Sequence, residues 1–267
     1  MNRELGQPIA LGRTAEIYAW DEGWVLKLFY AWFSLEDIQF EQRMARLVHA
    51  AGLPVPSVGE ILQADGRNGL LYERVDGESM GEILEKRPLS LFAFARQTAE
   101  LHAEMHTSTN QAELPSQRAR LERKILHADP LPAPLKTAAL DALACLPEGD
   151  RICHGDFHPG NILLTPDRAV VIDWIDASRG NPPADLARTT IIALGEAASD
   201  QNRNRMMKAF VRLFHAVYLH RYFQLRPGGA DEYRRWLPVI AAARLSENIP
   251  ELEGWLVKQV QRRLREN

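Results

Sequence analysis

"HGDFHPGN" at residues 154–161, followed by "IDWIDAS" at 172–178, decides the reading of this chain. A carboxylate, Asp156, stands in a loop among histidine, glycine and proline, a carboxamide, Asn161, follows it, and a second carboxylate, Asp173, closes an apolar β-branched run. "NILLTPD" and "RAVVIDWID" read as two arms of a short hairpin, with Asn161 at the entry of one arm and Asp173 at the exit of the other. Pairing of the arms brings those two residues to one end, and the loop 154–160 leads into it. The acid, amide and acid suit phosphoryl transfer. Asp156 would accept the proton of an attacking hydroxyl, while Asn161 and Asp173 offer the hard oxygen ligands that Mg2+ takes as it shares its shell with phosphates. Gly155 and Gly160 permit tight backbone turns, and Pro159 limits the loop's motion.

The 267 residues are enough for one large domain or two lobes. Against 35 Asp and Glu stand 32 Lys and Arg, a net charge of -3, so the totals give no footprint of a nucleic-acid partner. Apolar residues make up 46% and charged residues 25%, which excludes disorder and fibres. Cys145 and Cys153 are too few for a disulfide framework and lack metal-ligand spacing; both read as reduced core residues. The opening "MNRELGQPIALG" has no apolar core of signal-peptide length, and no stretch has the apolar length of a membrane span, so a cytoplasmic protein away from membranes is expected.

Outward from the central motif, the composition changes along the chain. "PIALGRTAEIYAWDEGWVLKLFY" reads as two or three antiparallel strands, residues 35–50 as a helix stopped by Gly52 and Pro54, and "PSVGEIL" with "GLLYERV" as a strand pair around the turn "QADGRN". After Asp76-Gly77 the period becomes helical: "LFAFARQTAELHAEMHT" is a strongly amphipathic helix, weaker patterns follow near 116–127 and 134–145, and from 184 onward almost everything is helical. A strand-rich first third and a helix-rich remainder predict two lobes joined near "VDGESM".

"HGDFHPGN" with "VIDWIDAS" resembles the aminoglycoside phosphotransferase family, which includes choline kinase-like and homoserine kinase-like enzymes and is similar in fold to protein kinases. "AELHAEMH" at 99–106 and "NPPADLA" at 181–187 extend the resemblance, which runs from about residue 8 to about 200. It implies an α+β, bilobal protein kinase-like fold: a small antiparallel-sheet nucleotide-binding lobe over 1–75 and a mainly helical lobe over 76–267. It places the family's phosphate-contacting lysine on Lys27, paired with an acid of the following helix, Glu41 by its mid-helix position or Glu36 as the alternative. Thr14 and Ala15, in a loop whose one glycine is Gly12, would offer backbone N–H groups to phosphate. The adenine would meet the backbone between Tyr72 and Val75, through Glu73. Asp185 would anchor the catalytic loop and cap the helix that follows, and His154 would brace the loop. The implied reaction is Mg2+-assisted transfer of the γ-phosphoryl group of ATP, or GTP, to a hydroxyl of a small molecule, with Asp156 as the base.

Other features have blander readings. His102 and His106 lie four apart on one helix face, a spacing that can bind zinc, yet with no acid or cysteine partner they read as packing or solvent-facing residues. Asp176 reads as a residue that orients the metal site or, in preference, holds the loop after the strand. For the acceptor, both an aminoglycoside-like antibiotic and a metabolite such as a sugar, amino alcohol or amino acid stay open: Glu196, Asp200, Glu232 and Glu247 would suit a polycation, but Arg234, Arg235 and Arg244 share those helices. The competing functional class is a catalytically inactive nucleotide-binding or scaffold protein of the same fold; intact Lys27, Asp156, Asn161 and Asp173 stand against it.

Overall fold

The computed structural model of the chain describes residues 5–109, 113–199 and 205–266. In chain order its first elements are β1 (Ala10–Leu11), β2 (Ala15–Ala19), β3 (Trp24–Phe29), α1 (Leu35–Ala50), β4 (Val58–Ala64), β5 (Arg67–Glu73), β6 (Glu78–Ser79) and α2 (Met80–Lys86). Then come α3 (Leu91–Met105), α4 (Gln117–Leu126), α5 (Ala133–Ala144), β7 (Arg151–Cys153), β8 (Ile162–Leu164), β9 (Ala169–Val171), β10 (Ser178–Gly180), α6 (Pro182–Ser199), α7 (Arg205–Leu225), α8 (Ala230–Arg244) and α9 (Pro250–Glu266).

The chain divides into two compact units, one of Met1–Glu82 with Gly160–Ile175, the other of Ile83–Pro159 with Asp176–Asn267. This division falls after residue 82 where the sequence suggested 75, and it takes the 160–175 hairpin into the first unit. The reason is pairing: β8 joins β6 on one side and β9 on the other, so the hairpin completes a sheet begun by the earlier chain.

In the first unit, five antiparallel strands run in the order β1-β2-β3-β5-β4. Asp65-Gly66, with φ of 50° and 69°, closes the β4–β5 hairpin as the two-residue turn that both positive φ values demand. Period-two alternation sorts β3: Leu26 and Leu28 join Tyr18 and Ala64 in one cluster, while Phe29 joins Ala15, Leu70 and Ile38 of α1 in the other. Lys27 therefore projects on the face that α1 covers. Ser34 caps α1 by accepting the Asp37 N–H at 3.1 Å, and Glu36 and Asp37 complement the positive end of the helix. Its buried residues are Ile38, Glu41, Met44, Ala45 and Val48, one helical stripe with a carboxylate in it.

The second unit is helical around one core. Trp236, Leu237, Val239, Ile240 and Ala241–Ala243 of α8 are all buried, and α8 packs against α4, α5, α6 and α9, so it is apolar almost all round. The three-residue strands β7 and β10 pair antiparallel, Cys153 opposite Ser178, and so join the residue before the 154–177 excursion to the residue after it. Cys153 is buried as expected; Cys145 is exposed, because it is the residue that caps the end of α5 while Leu146 beside it turns inward. No helix among the described residues is long and apolar enough to cross a membrane.

Candidate active site

In the first unit, Lys27 Nζ lies 2.8 Å from Glu41 Oε1 and 3.3 Å from Asp173 Oδ1. Glu41 is 2% exposed, and a carboxylate that deep needs partners; the Tyr72 hydroxyl donates to the same oxygen at 2.8 Å. Glu36 is exposed on the first turn of α1. Burial disfavours the Lys27 ammonium, but the carboxylates of Asp173 and Glu41 outweigh it and hold its pKa up at about 12. Burial and the Glu41 carboxylate push the Tyr72 phenol well above its ordinary value, so it remains a donor.

The hairpin arms pair Ile162 with Val171, and the Ile172 N–H donates to the Asn161 carbonyl at 3.0 Å, which puts Asn161 and Asp173 at the same end. Asp173 has φ of 65°, a left-handed conformation uncommon for a residue with a side chain, and its side chain is 41% exposed. Asn161 and Asp173 together supply an amide and a carboxylate oxygen, the donor chemistry that Mg2+ accepts.

A cavity of about 530 Å³ in this unit is lined by Ile9, Val25 and Leu164 and by the segment Arg74–Glu78. Of the linker residues named from the sequence, Val75 lines it. Tyr72 and Glu73 do not: both lie in β5, where Tyr72 turns to Glu41 and the Glu73 carboxylate accepts from the Ser57 N–H and hydroxyl at 3.0 and 2.9 Å. Ala15 opens β2 and is buried; Thr14, just before it, accepts the Tyr30 N–H at 2.9 Å.

In the second unit the loop that begins at His154 hangs from Asp185. Its Oδ2 accepts the His154 N–H at 2.7 Å and its Oδ1 the Gly155 N–H at 2.8 Å. The Nε2 atoms of His102 and His106 lie 3.2 and 3.3 Å from Oδ2. An ionised carboxylate only accepts, so both Nε2 atoms carry protons, and each Nδ1 accepts from a tyrosine, Tyr218 at 2.6 Å for His102 and Tyr222 at 2.7 Å for His106. The acid partner that the two histidines lack in sequence is thus supplied by α6. Neutral imidazoles satisfy every donor and acceptor of this cluster, which makes it a hydrogen-bonded hub. Burial drives the His102 pKa down to about 4 and lowers that of His106, while the donors around Asp185 overcome its burial and hold it well below the usual carboxylate range. Asp185 lies inside the first turn of α6, which begins at Pro182, so it serves the loop and not as the helix cap expected of it.

Gly155 has φ of +82°, and a Cβ there would meet the Asp176 carbonyl at 2.6 Å. Its carbonyl accepts from Arg188 Nε at 2.9 Å. Next to it, Asp156 has Oδ2 3.6 Å from His158 Nε2 and Oδ1 3.8 Å from Arg188 Nη2. Burial would raise the Asp156 pKa; the His158 hydrogen bond and the Arg188 guanidinium prevail and hold it far below the usual carboxylate range. His154 is fully buried, and its Nδ1 accepts the Asp156 N–H at 3.1 Å, a bracing role. Asp176 pairs with Arg120 and, at 3.6 Å, with Lys124.

With these residues in place, the sequence profile of the phosphotransferase enzyme family, APH, matches residues 6–238. The chain belongs to that family. It is a small-molecule kinase of α+β, protein kinase-like fold. Among solved structures it is similar to a thermostable mutant of aminoglycoside phosphotransferase APH(4)-Ia in ternary complex with AMP-PNP and hygromycin B, at 17% identity over 97% of this chain and 92% of that one, with a TM-score of 0.66. It is also similar to a choline/ethanolamine kinase family protein from Mesorhizobium loti, at 17% identity over 98% and 88% of the two chains with a TM-score of 0.60. The amicoumacin kinase hAmiN, in complex with AMP-PNP, Ca2+ and Ami, is similar at 15% identity over 98% and 88%, again with a TM-score of 0.60. No curated protein sequence matches the chain.

Two residues of this phosphotransferase escaped the sequence reading. Tyr72 was named for its backbone, although its hydroxyl holds Glu41. Arg188 was not singled out, yet it stands three residues after Asp185 on α6, hence on the same helix face, and reaches both Gly155 and Asp156.

Two consequences are measurable. The His102 pKa is about 4 in the folded chain against an ordinary value near 6.5, so the unfolded chain binds the extra proton and stability is lost as pH falls through that window. His102 alone lowers the unfolding free energy by roughly 2 kcal/mol between pH 7 and pH 5, and urea denaturation at the two pH values measures it. Gly155→Ala, strained at its positive φ and against the Asp176 carbonyl, destabilises by at least about 2 kcal/mol in the same assay.

Proposed function

We propose that this phosphotransferase moves the γ-phosphoryl group of ATP, or GTP, to a hydroxyl of a small molecule with Mg2+, using Asp156 as the base. The observation that carries the reading is the Lys27 ammonium held between Glu41 and Asp173 at 2.8 and 3.3 Å. A lysine with a helix carboxylate behind it and a strand-end carboxylate in front is suited to binding phosphate oxygens, as AMP-PNP complexes among its structural relatives suggest for this chain also. The cavity lined by Ile9, Val25, Leu164 and the segment Arg74–Glu78 suits the nucleotide base, with apolar side chains on offer for its faces.

Each residue then has a distinct task. Lys27 contacts the α- and β-phosphates, and Glu41, kept in place by Tyr72, fixes its direction. Thr14 and Ala15 offer backbone N–H groups. Asn161 and Asp173 would hold the metal, which would supply positive charge to the phosphates. Asp156 orients the acceptor hydroxyl. A carboxylate so acidic is a weak base towards an alcohol, so it takes the proton only as the oxygen–phosphorus bond forms and the bond from phosphorus to the β-phosphate oxygen breaks, a sequence suited to a loose transition state. The nucleoside diphosphate leaves with the bridging oxygen, and the proton passes from Asp156 to solvent. The acceptor under this reading is an aminoglycoside-like antibiotic or a metabolite such as a sugar, amino alcohol or amino acid; one structural relative is seen in ternary complex with AMP-PNP and hygromycin B.

Asp156→Asn keeps the shape of the loop and removes the proton acceptor. It lowers kcat about 10²- to 10⁴-fold while the nucleotide still raises the melting temperature. Coupled-assay turnover of Asp156→Asn within a factor of three of the parent would remove Asp156 from the role of base.

A further inference from the structure

Three residues on one face of α6 grip the loop at 154–157. Asp185, Arg188 and Thr189 stand at i, i+3 and i+4 of the helix. Asp185 accepts the Gly155 N–H at 2.8 Å, Arg188 Nε donates to the Gly155 carbonyl at 2.9 Å, and Thr189 Oγ1 donates to the Phe157 carbonyl at 2.8 Å. The peptide groups on both sides of Gly155 are thus fixed from a single helix, and the backbone of Asp156 lies between points that α6 holds.

One member of the three also reaches the Asp156 side chain. The three nitrogens of Arg188 go to three different places: Nε to the Gly155 carbonyl, Nη1 to within 2.7 Å of Glu247 Oε1, and Nη2 to within 3.8 Å of Asp156 Oδ1. A guanidinium is planar and rigid, so securing Nε and Nη1 decides where Nη2 stands. At 3.8 Å the last contact is longer than a hydrogen bond, so Nη2 directs the carboxylate by charge. The Arg188 side chain is 12% exposed, which leaves that attraction weakly screened. Burial disfavours the guanidinium, but the carboxylates of Glu247, Asp156 and Asp176 outweigh it and keep Arg188 charged.

Glu247 is the far end of the clamp, in the turn Leu245–Glu247 that follows α8. Lys124 lies 3.6 Å from its Oε1 and Arg244 3.9 Å from its Oε2. Of the acids that the sequence offered to a polycation, Glu247 is therefore committed to the cations around it. Glu232 accepts from Asn181 Nδ2 at 2.6 Å, Glu196 is exposed on α6, and Asp200 lies outside the described residues. Of the arginines on the same helices, Arg234 pairs with Asp231, and Arg235 donates to the Cys145 carbonyl. An arginine–glutamate pair that served the helices alone would have no need to give Nε to the loop and aim Nη2 at its acid.

We propose that Arg188 is a positioning residue for phosphoryl transfer: anchored by Glu247 and by the Gly155 carbonyl, it sets the direction of the Asp156 carboxylate. The inference rests on the reading of Asp156 as the base and deepens it. Arg188 acts through Asp156, and Glu247 acts through Arg188. Misplacing a catalytic group by about 1 Å costs on the order of 10²-fold in rate, so the clamp bears on kcat and leaves nucleotide binding alone.

The test compares the whole protein with Arg188→Lys, which keeps the charge and loses the planar fork, with Glu247→Gln, which keeps an acceptor oxygen and loses the charge, and with the double variant. Nucleoside diphosphate release is followed with Mg2+ and ATP, supplying in turn an aminoglycoside, an amino alcohol, a hydroxy amino acid and a sugar; water serves as the acceptor where none of these accelerates release. Melting temperature checks the fold. Arg188→Lys lowers kcat about 30- to 100-fold with KM for ATP within about threefold, Glu247→Gln lowers kcat about fivefold to tenfold, and the double variant is no slower than Arg188→Lys. A folded Arg188→Lys with kcat within about threefold of the parent overturns the proposal, as does a loss that falls on KM for ATP, or a double variant whose losses multiply. Should Arg188→Lys fail to fold, Glu247→Gln carries the test, and a kcat within about twofold of the parent overturns the proposal. Asp156→Asn is run beside them: release that does not depend on Asp156 overturns the base reading and this inference with it, whereas release that depends on Asp156 but is untouched by Arg188→Lys overturns this inference alone.

Discussion

The carboxylate of Asp185 is the constraint on which the second unit's chemistry depends. It is 1% exposed and ionised, a state tolerable only because four N–H groups point at it, two from the loop backbone and two from imidazoles. Hydrogen bonds to a charged group contribute about 1.5–3 kcal/mol each, so the loop at His154 and Gly155 is tied to α6 more firmly than ordinary turns are. Behind the imidazoles stand Tyr218 and Tyr222 of α7, which fix both tautomers, while the His102 ring stacks on Phe157. Asp156 follows Gly155 directly and inherits the position that these bonds set.

The first unit solves a parallel problem with fewer parts. The alternation of β3 puts Lys27 under α1, and the helical stripe of α1 puts Glu41 above it, so two charges that would be prohibitive alone are buried as a pair. Asp173, partly exposed and in a left-handed conformation, is the third member. The arrangement favours a fixed cation and leaves a carboxylate accessible, which is the property a phosphate and metal site requires. Catalysis on this account is positioning and electrostatics, with little covalent chemistry asked of the protein.

Much of this was readable beforehand because it is local. The helix at 35–50 was legible from Ile38, Gln42, Ala45, Leu47 and Val48 near helical spacing and from the stop at Gly52 and Pro54, whereas the Ser34 cap and the buried Met44 emerge only with the structure. The same spacing puts Glu41, and not Glu36, in the buried stripe. The hairpin carrying Asn161 and Asp173 was legible from two β-branched runs around a turn. What stayed hidden depends on distant partners. β7 and β10 are three residues each and exist because they pair across the whole 154–177 excursion. The acid facing His102 and His106 lies 83 and 79 residues further on. Arg188 looks like any helix arginine until the loop folds onto it, and its partners Gly155, Asp156 and Glu247 lie in no local window around it.

The most direct measurement of the central claim is native-state hydrogen exchange at the amides of His154 and Gly155. If Asp185 is the anchor described here, both exchange only through global unfolding, with protection equal to that of the slowest amides in α8, and both become fast in Asp185→Asn. Exchange in the parent protein at the rate of exposed loop amides would contradict the account, because the catalytic loop would then be held by something other than Asp185.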